Sequence, residues 1–487
     1  MMNTYIGIDL GTSSVKMLLV DKTGKILNSV TEEYPIYYPQ KKYSEQNPND
    51  WFIAVKKGIK ALLSGFDGKL VKGVSFGGQM HGLVILDEHD EVIRNAILWN
   101  DGRTVKETEY LNNVIGKNVL YNETNNIAFA GFTAPKILWV KNNELENFKR
   151  IKKIMLPKDY IAYKLTGVFS TDYSDAAGTL LLDVKNKRWN EKMLKICDIT
   201  EDYLPKLYNS HDVIGVIKPE IANEFNLQNN VVVTAGAGDN AAAAVGVGVI
   251  NEGECNLSLG TSGTVFLPLN KIDNNYVTDL HCFNDVNGNY HLLGCILSAA
   301  SCNKWWMNVL NTNDYLNEQA DLENLIGKNN VLFAPYLAGE RCPHNDVNVK
   351  GSFIGLTADT TRKQMNLAVL EGVAFALRDC IENGKVTITS TKICGGGAKS
   401  KLWLKIIANV LNAKVIKTTV DEGPSYGACI LAMVGAKEYD SVSTAINSFI
   451  NVKEVITPDD ETVELYNDKY NKFKLIYPSL KNLYENY

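Results

Sequence analysis

The first residues alternate between apolar and polar positions in a way that predicts two strands around a polar turn. Apolar runs at 5–9 and 15–20 flank the segment Gly-Thr-Ser-Ser at 11–14, and Asp9 stands just before it. A hairpin needs only turn-forming residues, whereas this turn also supplies hydroxyl groups and a carboxylate beside its backbone N–H groups. The pattern favours a phosphate cradle with a metal-binding acid, and a polar hairpin without function is the alternative.

Hydrophobic periodicity along the rest of the chain switches between strands and helices, which indicates an α/β architecture. Further predicted elements are strands at 26–36, 71–76, 83–86 and 95–99, and helices at 50–64, 134–142 and 158–167. The last of these helices is expected to end at Gly167, because glycine readily adopts the left-handed conformation that closes many helices. Residues 231–250 predict a buried strand, a glycine turn and an alanine-rich helix.

The first turn recurs about half a chain length later. The residues Leu-Gly-Thr-Ser at 10–13 are identical to those at 259–262, and apolar strands flank both copies. A repeat of this spacing predicts two related domains, 1–247 and 248–487, with the boundary near 247–254. Because pockets commonly form at domain interfaces, two facing turns could hold the phosphates of one nucleotide.

Two more glycine clusters occur in the second half. The segment Cys-Gly-Gly-Gly-Ala-Lys-Ser at 394–400 lies between a predicted strand and a predicted helix, an arrangement that lets backbone approach a nucleotide. It matches neither the Walker A nor the G-x-G-x-x-G pattern, and a tight turn without ligand is the alternative. The cluster at 421–435 predicts a turn capped by Ser425 and a small-residue helix, which we interpret as structural.

Composition narrows the classes of function. The chain has 487 residues, 45% hydrophobic and 22% charged, as in globular proteins of several domains. Its net charge of −5 offers no basic field for a nucleic acid, so we expect no such partner. The nine cysteines include no C-x-x-C pair, which argues against a disulfide framework or zinc site and favours the cytoplasm. We expect no signal peptide and no membrane span.

Longer segments resemble the FGGY family of carbohydrate kinases, within the actin-like ATPase superfamily. Residues 131–142 and 351–371 are similar to that family's two signature patterns. The segments that resemble its D-xylulose-phosphorylating branch are GGQMHG at 77–82, LWNDGRT at 98–104, LPKDYIAYKLTG at 156–167, SDAAGTLLLD at 174–183 and GERCPHND at 339–346. Over nearly the whole chain, the resemblance implies two ribonuclease-H-like domains with ATP and sugar in the cleft between them.

The resemblance implies transfer of the γ-phosphoryl group of ATP to the C5 hydroxyl of D-xylulose, with Mg²⁺. Such a transfer needs in-line positioning, charge neutralisation and a proton acceptor. The resemblance assigns the base to Asp239, and an ordinary helix-capping aspartate is the alternative. We expect the helix dipole and capping N–H groups to keep Asp239 ionised. Asp9 is the candidate Mg²⁺ ligand, either directly or through water.

The remaining candidates divide by ligand. Those for the nucleotide are Thr12, Ser13, Gly260, Thr261, Ser262, Ala300, Lys304, Gly396 and Gly397. The two Gly-Thr-Ser turns offer donors, Gly396 and Gly397 allow a close approach of backbone, and Ala300 and Lys304 are positions that the resemblance implies. Those for the sugar are Gln79, Met80, His81, Trp99, Asp239 and Asn240. His81 can both donate and accept hydrogen bonds. We interpret His344 as part of the loop architecture, and the pair Trp305–Trp306 as core or adenine-edge packing.

Two other readings of the sequence stay open. One is an FGGY kinase for ribulose, gluconate or glycerol, although the glycerol and gluconate relatives differ at 77–82. The other is a non-catalytic actin-like module, for sugar sensing or assembly, which the presence of Asp9, Asp239 and both Gly-Thr-Ser turns opposes. A homodimer is left open as the assembly state.

Overall fold

We describe a computed structural model of the chain, covering residues 2–272, 279–420 and 422–486. It contains two seven-stranded sheets, each flanked by helices, and several two-stranded ribbons. Across the described ranges, no helix combines the length and apolar character that a bilayer crossing needs.

The first sheet is built around the strand that leads into the first Gly-Thr-Ser turn. Its strands, in spatial order, are Val213–Val216, Val232–Thr234, Val71–Gly78, Thr4–Leu10, Ser14–Asp21 and Ile26–Glu33, with Ala237–Gly238 pairing beside Val71–Gly78. The central strands Thr4–Leu10 and Val71–Gly78 are parallel. They are buried along almost their whole length, which explains why they are apolar or small at nearly every position.

The second sheet repeats the arrangement of the first. Its strands, in spatial order, are His281–Asn284, Tyr290–Ile296, Gly263–Leu269, Glu254–Leu259, Ser390–Cys394, Lys414–Thr418 and Val452–Ile456. Apart from the additional strand His281–Asn284, the succession of antiparallel and parallel neighbours is the same in both sheets. The prediction of two related α/β domains is therefore confirmed.

Helices connect the strands in both halves. The α-helices of seven residues or more in the first half are Pro48–Leu62, Lys117–Thr124, Thr133–Asn143, Pro157–Thr166, Glu191–Cys197 and Asp239–Val247, and a π-helix spans Tyr110–Gly116. Those in the second half are Ala300–Val309, Arg362–Asn383, Lys401–Leu411, Gly423–Gly435, Val442–Phe449, Asp460–Phe473 and Ile476–Tyr484. Shorter helices relevant to the site are Tyr173–Ala176 and Tyr315–Gln319. The predicted helices near 50, 134 and 158 are found, and the last ends at Gly167 with a φ of 78°.

The helix Gly423–Gly435 begins earlier than the sequence predicted. Ser425 was expected to cap it, but the N-cap residue is Glu422. Pro424 explains the difference, because its fixed φ suits the first turn of a helix and it needs no N–H partner there. The Ser425 hydroxyl instead donates to the Glu422 carbonyl oxygen at 3.0 Å, inside the first turn.

This same helix belongs to the second half of the chain but packs on the first sheet. There it crosses the helix Asp239–Val247 at very close range, because a Cβ at Gly427 would lie 1.9 Å from the Ala242 carbonyl oxygen. Only glycine allows backbones to approach so closely. The crossing joins the two halves directly behind the start of the helix that carries Asp239.

The halves also meet on the side where the sugar residues were predicted. The Asn126 side chain exchanges two hydrogen bonds, of 2.8 and 2.9 Å, with the backbone of Cys282. Asn284 Nδ2 donates to the Val184 carbonyl oxygen at 3.1 Å. One hydrophobic core continues through both halves, so the two domains share apolar packing as well as polar contacts.

Candidate active site

The first Gly-Thr-Ser turn is held by its carbonyl oxygens. The carbonyl oxygen of Gly11 accepts from the Tyr34 hydroxyl, and that of Ser13 accepts from the Tyr34 backbone N–H at 3.2 Å. The carbonyl oxygen of Thr12 accepts from Gln46 Nε2 at 2.7 Å. Within the described ranges, the N–H groups of Thr12 and Ser13 have no internal partner. They are therefore free to donate to an anion such as a phosphate.

The second Gly-Thr-Ser turn is fixed to the start of the helix Ala300–Val309. The Ala300 N–H donates to the Gly260 carbonyl oxygen at 2.8 Å. The Ala299 N–H donates to the Thr261 carbonyl oxygen at 2.9 Å. The side chains of Thr261 and Ser262 are exposed. The turn is thus rigid at its carbonyls and accessible at its hydroxyls.

A cavity of about 530 Å³ opens beside this second turn. Among the predicted nucleotide residues, the structure brings together around it Thr261, Ala300, Lys304, Gly396 and Gly397. The lining residues that the sequence did not indicate are Ser301, Asn303, Tyr315, Leu316, Gln319, Lys399, Ser400 and Trp403. Leu316 is 87% exposed, which is unusual for a large apolar side chain and suits contact with a flat base. No periodicity or glycine cluster marks it in the sequence.

In the glycine cluster at 394–400, Gly396 and Gly397 face different environments. A Cβ at Gly397 would lie 2.8 Å from the Leu259 Cβ and 3.0 Å from the Trp403 ring. A Cβ at Gly396 would meet no atom within 4 Å. The cluster is therefore packed against the second sheet through Gly397 and open toward the cavity at Gly396.

The pair Trp305–Trp306 and His344, which the sequence did not assign to a ligand, have aromatic partners in the second half. In the pair Trp305–Trp306, Trp305 stacks on Phe333 with ring centroids 5.8 Å apart, which favours core packing over an adenine contact. His344 stacks on Tyr477 at 3.9 Å, and its Nε2 lies 3.1 Å from the Tyr336 hydroxyl. These contacts support the interpretation of His344 as loop architecture.

Asp9 and Asp239 lie at the same edge of the first sheet. Gly77 pairs with Asp9 on one side and with Ala237, two residues before Asp239, on the other. Burial raises the pKa of Asp9 to about 7, the negative charge of Asp239 adds to that shift, and Lys16 opposes it. The charge of Asp239 therefore affects the protonation of the Asp9 carboxyl at this edge of the sheet.

The Asp239 carboxylate differs from the expectation in one respect. Burial raises its pKa to about 6, although the backbone N–H and side-chain Nδ2 of Asn240 donate to it at 2.7 and 2.8 Å. Loss of water therefore outweighs the hydrogen bonds and helix dipole that were expected to dominate. The group is still mostly ionised at neutral pH. The N-cap residue of its helix is Gly238, so Asp239 is not the capping residue.

His81 is held in an unusual backbone conformation, with a φ of 68°. Its carbonyl oxygen accepts from Lys136 Nζ at 2.8 Å and from the Thr133 hydroxyl at 3.1 Å, and its ring stacks on Phe132. Its Nδ1 lies 2.7 Å from the Gly178 carbonyl oxygen, which can only accept, so Nδ1 carries the proton.

The charge state of His81 follows from its surroundings. Burial lowers its pKa to about 3, and the positive charge of Lys136 adds to that shift. The ring is therefore neutral, and Nε2 offers a lone pair. The expectation that His81 both donates to and accepts from a ligand is corrected, since only the acceptor is available.

Met80 and Asn240 lie beside Asp239 but contact it differently. Met80 is 5% exposed and packs on Gly238, where a Cβ would lie 2.9 Å from the Met80 sulfur. The Asn240 side-chain nitrogen is engaged with Asp239. A contact from Asn240 to a sugar hydroxyl would therefore use its Oδ1 as an acceptor or the second N–H of its amide group as a donor.

The other two sugar candidates are connected to the first Gly-Thr-Ser turn. Gln79 is 2% exposed, and its Nε2 donates to Gln46 Oε1 at 3.0 Å, while Gln46 itself donates to the Thr12 carbonyl oxygen. The Trp99 indole N–H donates to the Thr12 hydroxyl at 3.0 Å, and its side chain is 41% exposed. These contacts place Gln79 behind the turn and leave a face of Trp99 accessible.

Two cations near the sugar candidates were not singled out by sequence reasoning. Lys136 is fully buried and fixes the His81 backbone, and burial holds its pKa well below the usual value. Arg341 comes from the second half, its guanidinium 5.5 Å from the centre of the Phe129 ring, and it contributes to the lowered pKa of His81. The signal for Lys136 was a lysine within the apolar segment 134–140 of its helix.

The acid pair fits a magnesium ion only in part. Carboxylate oxygens are the ligands that Mg²⁺ prefers, and proteins usually supply one or two of them beside water and phosphate oxygens. Across the described ranges, no group of three or more His, Cys, Asp or Glu residues is arranged to hold a metal ion. Asp9, with Asp239 near it, could therefore hold Mg²⁺ together with the phosphates of a nucleotide.

Comparison with known proteins identifies the family. Residues 4–246 match the model of the N-terminal domain of the FGGY family of carbohydrate kinases, and residues 255–436 match that of its C-terminal domain. The chain belongs to the FGGY family of carbohydrate kinases. The resemblance inferred from the sequence is confirmed.

Individual relatives cover nearly the whole chain. A xylulose kinase from Lactococcus lactis is 41% identical over 99% of this chain and 98% of its own. One from Staphylococcus epidermidis is 39% identical, over 98% of this chain and 97% of its own. A structure of a kinase from Brucella ovis, titled a xyloylose kinase, is 36% identical with a TM-score of 0.93, covering 99% and 100%. A gluconate kinase from Lactobacillus acidophilus is 28% identical with a TM-score of 0.94, covering 100% of both.

Proposed function

We propose that the protein transfers the γ-phosphoryl group of ATP to the C5 hydroxyl of D-xylulose, giving D-xylulose 5-phosphate and ADP. The observation that carries the proposal is the place of Asp239 between two ligand regions. On one side Met80 packs on Gly238, and His81 follows Met80. On the other side Asp9 and the first phosphate turn lie close by. The full-length relatives named xylulose kinase support the choice of sugar.

In this mechanism the Asp239 carboxylate accepts the proton of the C5 hydroxyl while that oxygen attacks the γ-phosphorus. The new O–P bond forms as the bond to the bridging oxygen of ADP breaks, so the electron pair leaves with ADP. The N–H groups of Thr12 and Ser13 donate to phosphoryl oxygens, where negative charge accumulates. A Mg²⁺ ion bound at Asp9 would add neutralisation of phosphate charge.

The sugar is oriented by the loop that contains His81. Because the ring is neutral with its proton on Nδ1, Nε2 accepts a hydrogen bond from a sugar hydroxyl. The bonds from Lys136 and Thr133 to the His81 carbonyl oxygen fix this acceptor before the sugar arrives. The exposed face of Trp99 offers an apolar surface for the carbon skeleton.

The test is coupled ADP release with D-xylulose, D-ribulose, gluconate and glycerol, with the Asp239→Asn variant as control. We expect D-xylulose to give the highest kcat/KM and the variant to lose sugar-dependent release. A preference for gluconate or glycerol would replace the substrate while keeping a kinase. No sugar-dependent release from the wild type would instead favour a non-catalytic module.

We further propose that the enzyme works in the cytoplasm and requires Mg²⁺, and a homodimer is the assembly to be tested. Titration with a chelator and add-back of Mg²⁺ checks the metal. Sedimentation checks the assembly, since a mass of 54.0 kDa corresponds to one chain and twice that value to a dimer.

A further inference from the structure

A buried polar cluster lies outside the residues proposed to touch either substrate. Lys158 Nζ is 2.6 Å from Asp159 Oδ1 and 2.9 Å from Asp172 Oδ1, and these three side chains are at most 1% exposed. Charged groups this deeply buried are tolerated only with well-placed partners, and removal of one partner is strongly destabilising. The side chains of this cluster are therefore held in fixed positions within the first half of the chain.

Asp172 connects this cluster to Ser174 through two hydrogen bonds. The Asp172 Oδ2 accepts from the Ser174 backbone N–H at 2.9 Å and from the Ser174 hydroxyl at 2.5 Å. The hydroxyl proton is therefore directed to Asp172, and the hydroxyl oxygen is left as an acceptor. That oxygen accepts from the Gly238 backbone N–H at 3.0 Å. Gly238 immediately precedes Asp239.

The segment that begins at Ser174 also contacts the loop that contains His81. Four residues after Ser174, the carbonyl oxygen of Gly178 accepts a hydrogen bond from the Nδ1–H group of His81. A Cβ at Gly178 would lie 2.5 Å from the His81 ring, so the segment and the ring are in direct contact. Residues 174–178 thus hold the peptide before Asp239 at one end and the His81 ring at the other.

We propose that Ser174 is a positioning residue for phosphoryl transfer. It connects the buried Lys158–Asp172 ion pair to the Gly238 peptide and so sets where the Asp239 carboxylate meets the acceptor hydroxyl. The inference rests on the proposed function only in taking Asp239 as the base, and it is independent of which sugar is phosphorylated.

The chain supplies a matched control in Ser210. Its hydroxyl donates to the same Asp172 Oδ2, at 2.7 Å, and it is 1% exposed against 0% for Ser174. The Ser210 side chain does not carry the bond to Gly238, which goes to Ser174. Replacing either serine by alanine removes one oxygen and adds no atom, so both variants lose one buried hydrogen bond to the same carboxylate.

The experiment compares steady-state kinetics of Ser174→Ala and Ser210→Ala, using the sugar that the wild type prefers. Ser174→Ala is expected to lower kcat roughly 10- to 100-fold, because small displacements of a reacting group are costly. Its KM for ATP should stay within about twofold of wild type. Ser210→Ala should keep kcat within about twofold. Thermal denaturation is expected to show both variants folded, with the larger loss for Ser174→Ala, because that variant also leaves the Gly238 N–H without its acceptor. Kinetics measured well below both midpoints therefore separate positioning from stability.

Two results would overturn the inference. One is a kcat for Ser174→Ala within about twofold of wild type, and the other is an equal loss of kcat in both variants. If the wild type prefers another sugar, the D-xylulose assignment fails and the comparison of the serines still decides the role of Ser174. A wild type without any sugar-dependent turnover would overturn both proposals.

Discussion

The two Gly-Thr-Ser turns occupy the same place in two sheets of the same strand order. They differ in the residue two positions before the glycine, which is Asp9 in the first and Ser258 in the second. The first turn follows Asp9, whose parallel neighbour is Gly77. The second turn follows Ser258, whose parallel neighbour is Cys394. Only the first therefore brings a carboxylate to the edge of its sheet. We infer that a duplicated scaffold supplies two phosphate-binding turns, of which one serves the reacting end of the nucleotide.

The surroundings of the two turns also differ in polarity and in openness. The carbonyls of the first turn are bound by Tyr34 and Gln46, and Trp99 donates to its Thr12 hydroxyl, so it is enclosed by polar contacts. The second turn borders a cavity of about 530 Å³ whose lining includes Tyr315 and Leu316. A polar site that carries a carboxylate suits phosphoryl transfer. An open site with apolar side chains suits the nucleobase and ribose. The predictions below test this division.

The largest effect is expected from Asp239→Ala. If Asp239 is the base, as proposed, its removal should lower kcat by about 10²- to 10⁴-fold while leaving D-xylulose binding nearly intact. Turnover measured by coupled ADP release, with sugar binding by calorimetry, checks both parts. Turnover within a factor of a few of wild type would remove Asp239 from the mechanism.

The next effect compares the corresponding positions of the two turns. Asp9→Asn should lower turnover and raise the Mg²⁺ concentration for half-maximal activity roughly 10- to 100-fold. Its matched control, Ser258→Ala, changes the equivalent residue before the second turn and should leave that concentration within about twofold of wild type. An unchanged Mg²⁺ titration for Asp9→Asn, or equal shifts for both, would contradict a functional difference between the turns.

The pH dependence tests the raised pKa of Asp239. Since the pKa of Asp239 is raised to about 6, kcat/KM for ATP should fall about tenfold per pH unit below that value as the base becomes protonated. A raised carboxyl pKa also means that the stability contribution of Asp239 is lost as pH rises from about 4 through about 6. The stability gained by Asp239→Asn should therefore be larger at pH 7 than at pH 4, as chemical denaturation can measure.

The smallest effect concerns the sugar. Loss of one neutral acceptor in His81→Ala should raise the KM for D-xylulose by about 5- to 10-fold, corresponding to roughly 1 kcal/mol, without changing the KM for ATP. His344→Ala is the control, because that ring also stacks on an aromatic side chain but is not among the residues proposed to bind the sugar. Equal increases in both KM values for His81→Ala would indicate a general defect of the fold.

Local features of the site could be predicted from the sequence because local rules govern them. The repeated Leu-Gly-Thr-Ser segments at 10–13 and 259–262 required only that strands flank a turn, and the structure has this arrangement in both sheets. Gly167 ended a helix for a reason contained in a few residues, since glycine alone adopts its φ of 78° without strain.

Features that depend on distant segments were missed or misjudged. The pKa of Asp239 moved upward because packing removes water from it, and no pattern around residue 239 reports that burial. Leu316 became part of a cavity through the approach of the glycine cluster at 394–400. The helix Gly423–Gly435 packs on the sheet of the other half through backbone contacts that the sequence pattern does not encode.

The central claim is that the first turn and Asp239 direct the γ-phosphoryl group to the C5 hydroxyl of D-xylulose. The most direct measurement is nuclear magnetic resonance of the purified product after incubation with ATP, Mg²⁺ and D-xylulose. We expect a single phosphate monoester whose phosphorus couples to the two C5 protons. A phosphorus coupled to the C1 protons, or hydrolysis of ATP without any sugar phosphate, would contradict the account.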